Sequence, residues 1–136
     1  MENRFQMNFT KARVDAVSNL GLAHIGDGVF ELLVRTYLCD RGNQTVRTLH
    51  RDTVELVNAV SQARFVQKIL PLLTEEEQAY YRRGKNSHTH AAPKAASAKE
   101  YAMATGLETL FGALYLYGRT QRLTELFEKG MEEDGV

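Results

Sequence analysis

SNLGLAHIGDGVFELLVRTYLCD, residues Ser18 to Asp40, decides the fold. Leu22, Ile25, Val29, Leu32 or Leu33, and Thr36 recur at steps of three and four, the repeat of one helix face. Arg41-Gly42-Asn43 follows, and Gly42 suits the left-handed position that closes a helix. The stretch therefore predicts a long helix from about Ser18 to Asp40.

The same period continues downstream. Leu49, Thr53, Leu56, Val60, Ala63 and Val66 predict a second helical region from about Thr45 to Leu70, with a break near His50 to Asp52 and an end at Pro71. Thr74 and Glu77 make a capping-box pattern for a third helix reading to about Arg83. A polar loop follows, Ser87 to Ala96. Ser97 and Glu100 repeat the pattern for a fourth helix, which Gly118 stops after Tyr117. A last amphipathic helix covers about Thr120 to Glu133, with Leu123, Leu126 and Phe127 inward. No segment alternates as a strand does. The expectation is an all-α protein of five to seven helices, one domain over residues 1–136.

Composition bounds the class. A 43% apolar, 25% charged chain of this length can bury a core without staples. A lone cysteine, Cys39, excludes an internal disulfide and suits a reducing, cytoplasmic setting. The start, MENRFQMNF, reads as neither signal peptide nor anchor, and no apolar run suits a membrane span. Lys and Arg total 17, as do Asp and Glu, so the chain is not uniformly basic. The charges are nevertheless segregated. Arg82, Arg83, Lys85, Lys94 and Lys99 fall between Tyr80 and Lys99 with no acid among them, while Glu125, Glu128, Glu132, Glu133 and Asp134 crowd the C-terminal end. One basic and one acidic surface are expected.

Two acids sit in apolar company. Asp27 lies mid-helix between Gly26 and Gly28, and Glu108 lies mid-helix with Gly106 and Gly112 nearby. Each glycine costs a helix interior roughly 1 kcal/mol against alanine, so these settings imply close approach of a backbone or a ligand. A carboxylate buried alone is costly. Two on facing helices would repel unless a cation lay between them, and Mg²⁺ takes such hard oxygen ligands while keeping several waters. That arrangement would activate water against a phosphate. The plainer alternative for each acid is a salt bridge or a capped polar group. Glu31, one turn beyond Asp27, either extends the site or pairs with Arg35, and the pairing is preferred. His24 is close enough along the helix to support Asp27. His88 and His90, without cysteine or clustered acids, make a weak zinc pattern.

At these residues the chain resembles the ribonuclease III family. Gly26-Asp27-Gly28-Val29 is similar to that family's aspartate-bearing helix, and Leu107-Glu108-Thr109-Leu110-Phe111-Gly112 to its last metal-binding segment. Leu49-His-Arg, Val57-Asn-Ala-Val-Ser-Gln-Ala, Arg82-Arg-Gly-Lys-Asn, Pro93-Lys94 and Tyr101-Ala-Met-Ala-Thr-Gly resemble the Mini-III group, over roughly Leu20 to Leu126. Two further acids of ribonuclease III are replaced, by Ala23 and Thr105, and the double-stranded RNA-binding domain of the full-length enzymes has no counterpart here.

The resemblance implies a helical endonuclease domain working as a homodimer. It implies Mg²⁺-dependent cleavage of double-stranded RNA at Asp27 and Glu108, leaving 5′-phosphate ends. It also implies maturation of large-subunit (23S) ribosomal RNA, with a large-subunit ribosomal protein as a possible helper. Arg82, Arg83, Lys85, Asn86, Lys94 and Lys99 are the expected RNA contacts. The competing expectations are a non-catalytic RNA-binding module of the same fold, or a helical interaction protein.

Overall fold

A computed structural model describes residues 3–87 and 96–133. The described residues form seven α-helices and no strand: α1 (Lys11–Asp15), α2 (Asn19–Asp40), α3 (Val46–Val57), α4 (Ala59–Ile69), α5 (Glu75–Lys85), α6 (Ala98–Tyr117) and α7 (Thr120–Met131). A 3-10 turn, Leu70–Leu72, joins α4 to α5 around Pro71. None of these helices is long and apolar enough to cross a membrane.

Local side-chain chemistry sets most boundaries. Ser18 accepts the Gly21 amide at the start of α2, and Gly42 adopts φ 128° just past its end. Both expected capping boxes form, Thr74 with Glu77 on α5 and Ser97 with Glu100 on α6. One boundary differs from expectation. The second helical region breaks at Asn58, not near His50 to Asp52, because the Asn58 side chain accepts the Ser61 amide and starts α4 afresh. The short α1, capped by Thr10, lies outside the sequence expectations.

α6 is the axis of the molecule, with α2, α4, α5 and α7 packed around it. From Ala102 to Leu114 every residue except Glu108 is buried. A helix apolar on all sides must be sheathed on all sides, and its neighbours do this with large side chains. Phe30 of α2, Phe65 of α4, Phe111 of α6 and Phe127 of α7 meet edge-on or tilted, with centroids 5.1–6.1 Å apart.

The N-terminal arm is strapped to the far end of α6. The Phe9 amide donates to Leu116 O at 2.8 Å, Gln6 Nε2 donates to Gly118 O at 2.9 Å, and the Tyr115 hydroxyl donates to Arg4 O. Gly118 turns left-handed there, at φ 80°, and a Cβ on it would lie 1.9 Å from Met7 O.

Candidate active site

The site begins with the crossing of α2 over α6. A Cβ on Gly26 would lie 1.6 Å from the Glu108 carbonyl oxygen, and one on Gly112 would lie 2.0 Å from Leu22 O. Only hydrogen at both positions lets the two backbones come this close. Asp27 follows Gly26 directly, so the contact that brings the helices together also brings Asp27 beside Glu108. Gly28 behaves differently. Nothing lies within 4 Å of where its Cβ would be, so its setting does not reflect packing among the described residues.

The two carboxyls interact directly, and the effect on Glu108 is large. Burial first, then the negative charge of Asp27, then a hydrogen bond with Asp27, push the Glu108 carboxyl up to about 8. The Gln62 side chain, from α4, acts in the opposite sense. Gln62 is only 2% exposed, and its amide Nε2 has no well-formed hydrogen bond. No lysine, arginine or histidine among the described residues forms an ion pair with either acid. The salt-bridge alternative therefore has no support. The pair is short of positive charge.

A divalent cation fits this donor set. The donors are hard carboxyl oxygens, one carboxyl exposed to solvent and one mostly buried, the oxygen chemistry that Mg²⁺ takes while retaining several waters. Among the described residues no group of three or more potential metal-binding side chains exists. Ala23 is buried and its side chain carries no oxygen, and the Thr105 hydroxyl donates to Tyr101 O at 3.1 Å, within its own helix. Glu31 pairs with Arg35 at 3.0 Å, as preferred from sequence. His24 is exposed and forms no hydrogen bond to Asp27.

The basic candidates separate into two kinds. Arg82 and Lys99 are exposed, and Asn86, also exposed, closes α5. Lys85 is half-buried. Arg83 is engaged within the chain: Nε donates to Asn19 Oδ1 at 2.7 Å, and one terminal nitrogen to Asp15 Oδ1 at 3.3 Å. Its guanidinium lies 5.4 Å from the Tyr80 ring centroid. Asp15 also accepts from the Tyr80 hydroxyl at 2.7 Å, while Asn19 donates to Ser87 Oγ at 2.8 Å. This network ties the end of α5 to the start of α2. Hydrogen bonds from Lys11 and Tyr80 hold the Asp15 carboxyl below its usual range. Lys94, His88 and His90 lie outside the described residues.

Among the described residues, the far face of α2 is only partly covered. Ile25, Gly28, Val29, Leu32 and Leu33 line an apolar groove with Phe5, Tyr115 and Leu123. Phe5 is 80% exposed and Leu32 55%.

Sequence reasoning missed Gln62. Its signal was present but faint: a polar residue four positions before Val66, on the stripe that α4 buries.

A family model described as the ribonuclease III domain matches residues 20–119. The Mini-ribonuclease 3 of Symbiobacterium thermophilum is 45% identical over 109 residues, covering 80% of this chain and 84% of that protein. The Mini-ribonuclease 3 of Clostridium tetani is 38% identical over 135 residues, covering 93% and 89%. The crystal structure of a protein from Fusobacterium nucleatum superposes with a TM-score of 0.79 at 31% identity, covering 87% of this chain and 96% of the other.

Proposed function

This chain belongs to the ribonuclease III family, within its Mini-ribonuclease 3 group, and from that premise we propose that it is an endoribonuclease that cuts double-stranded RNA with a divalent metal held by Asp27 and Glu108. The observation that carries the reading is the meeting of two carboxyls from α2 and α6 with no cation among the described residues paired to either.

Each residue then has a defined task. The exposed Asp27 meets the phosphate side of the site, and the more buried Glu108 backs it. Glu108, kept protonated near neutral pH by burial and by Asp27, would hold a divalent ion as a carboxylate, because that charge would offset the repulsion between the two acids. Mg²⁺ bound there would lower the pKa of a coordinated water and offset the charge that develops on the scissile phosphate. Attack in line with the departing 3′ oxygen leaves 5′-phosphate and 3′-hydroxyl ends. The fixed crossing at Gly26 and Gly112 keeps both acids in register throughout.

The working unit is a homodimer, with the apolar groove on α2 facing a second copy. A groove with Phe5 and Leu32 this exposed favours burial against an apolar partner, and a two-fold axis makes such a surface meet itself. Two sites then face the two strands of a duplex. A-form RNA is read by shape, phosphate and 2′-hydroxyl. Arg82, Lys85, Asn86, Lys94 and Lys99 supply phosphate contacts, and Arg83 anchors the end of α5 that carries them. The whole of residues 1–136 acts as one catalytic domain. The substrate is a cytoplasmic precursor of large-subunit ribosomal RNA, presented with or without a large-subunit ribosomal protein.

Asp27→Asn tests the reading. The variant should remain folded and dimeric, bind a plain RNA duplex, and leave it uncut with Mg²⁺ present. Wild-type cleavage by Asp27→Asn would refute the assignment.

A further inference from the structure

We propose that Gln62 is a positioning residue for Glu108: its buried amide holds one oxygen of the Glu108 carboxylate and leaves the other to face Asp27, with which it would hold a divalent cation. The proposal rests on the Asp27–Glu108 reading above and adds a third helix, α4, to the site.

Three observations carry it. Gln62 is only 2% exposed, so no solvent satisfies it. Its Nε2 is the one buried side-chain nitrogen or oxygen among the described residues with no hydrogen-bond partner. The group it adjoins is Glu108, the one residue between Ala102 and Leu114 that is not buried. Folded proteins rarely leave a buried amide donor unused. A methionine would fill the same length with nothing to satisfy, so packing alone gives no reason for an amide. The donor has no other hydrogen-bond partner among the described residues and adjoins the Glu108 carboxyl. Partners that orient a metal ligand in this way commonly act on ion affinity without touching the ion.

The test uses the full-length protein without RNA. Mn²⁺ affinity is measured by isothermal titration calorimetry for wild type, Gln62→Met, Glu108→Gln and Asp27→Asn. Gln62→Met is expected to bind Mn²⁺ about tenfold more weakly, with an unchanged or higher melting temperature in EDTA. Its cleavage should recover at high Mg²⁺, with KM for duplex RNA unchanged. Wild-type Mn²⁺ affinity in Gln62→Met, while Glu108→Gln and Asp27→Asn lose theirs, would overturn the role of Gln62 alone. Wild-type affinity in all three would instead overturn the metal site itself. A variant-free measurement stands beside these. The Gln62 side-chain NH₂ resonances of the wild-type protein should shift and exchange more slowly on addition of Mg²⁺. Resonances that do not respond would refute the contact even if Gln62→Met does not fold.

Discussion

Replacing Glu108 with glutamine should stabilise the metal-free protein, by an amount that grows with pH. The Glu108 carboxyl stands at about 8 in the folded chain, against an ordinary value of 4.5. The folded state therefore binds this proton more tightly than the unfolded state. The contribution to stability is complete below pH 4.5 and is lost as pH rises through about 8. With about 1.4 kcal/mol per tenfold difference, the cost relative to a neutral side chain is roughly 3 kcal/mol at pH 7 and approaches about 5 kcal/mol at higher pH. Glutamine escapes this cost because it does not ionise. For a chain of this size the gain at neutral pH amounts to about 10 °C in melting temperature. The assay is thermal unfolding of wild type and Glu108→Gln in EDTA at about pH 5, 7 and 8.5, at one protein concentration. The two should nearly coincide at the lowest pH and separate progressively above it. On the proposed reading, added Mg²⁺ should narrow or reverse the gap, since an ion held by the folded wild type stabilises it alone. Equal melting temperatures across the range would show that Glu108 is not held protonated by its surroundings, and the account of the site would fail.

Other expectations concern packing and charge. Gly26→Ala would drive a methyl to 1.6 Å from the Glu108 carbonyl and should cost about 3 kcal/mol in denaturant unfolding. Gly28→Ala meets nothing within 4 Å. It should gain about 1 kcal/mol in a monomeric, RNA-free state, so any loss of dimer or of cleavage would report an outside partner on that face. Burial alone would raise the Glu77 carboxyl, but hydrogen bonds from Arg122 at 2.9 Å and from Thr74 outweigh it and hold it low. This stabilisation is present above pH 4.5 and lost as pH falls below it. Arg122→Ala should cost about 3 kcal/mol at neutral pH, and its urea midpoint should fall less steeply into acid than that of wild type. Replacing both Arg82 and Lys99 with alanine should flatten the slope of log affinity for duplex RNA against log salt by about 1 per lost phosphate contact. An unchanged slope would remove them from the RNA surface.

The parts legible in the sequence share a property: their chemistry is local. Ser18, Thr74 with Glu77, Ser97 with Glu100, and Gly118 mark helix ends within one turn, and each marks the boundary expected of it. The break in the second helical region was misplaced because His50 to Asp52 is polar, whereas α3 simply turns that polar face outward. The true stop, Asn58, is a single cap with no periodicity to announce it. The candidate acids were visible because glycine beside a carboxylate in a helix interior is costly enough to need a reason. Gly26 supplied that reason through packing, and Gly28 did not. Gln62 was beyond reach because a polar residue on a buried stripe has no meaning until α4 lies against α6. Arg83 was read from charge alone. What engages it is Asp15, 68 positions away, and no local pattern connects the two.

The strap between the N-terminal arm and the end of α6 bears on the order in which the molecule is completed. Gln6 must find Gly118, and Arg4 must find Tyr115, across separations of 112 and 111 residues. During synthesis the arm therefore cannot dock until the end of α6 has been made. Loop closure over such a span is slow. The same arm carries Phe5 into the groove on α2, so that groove is complete only once the arm has reached the end of α6.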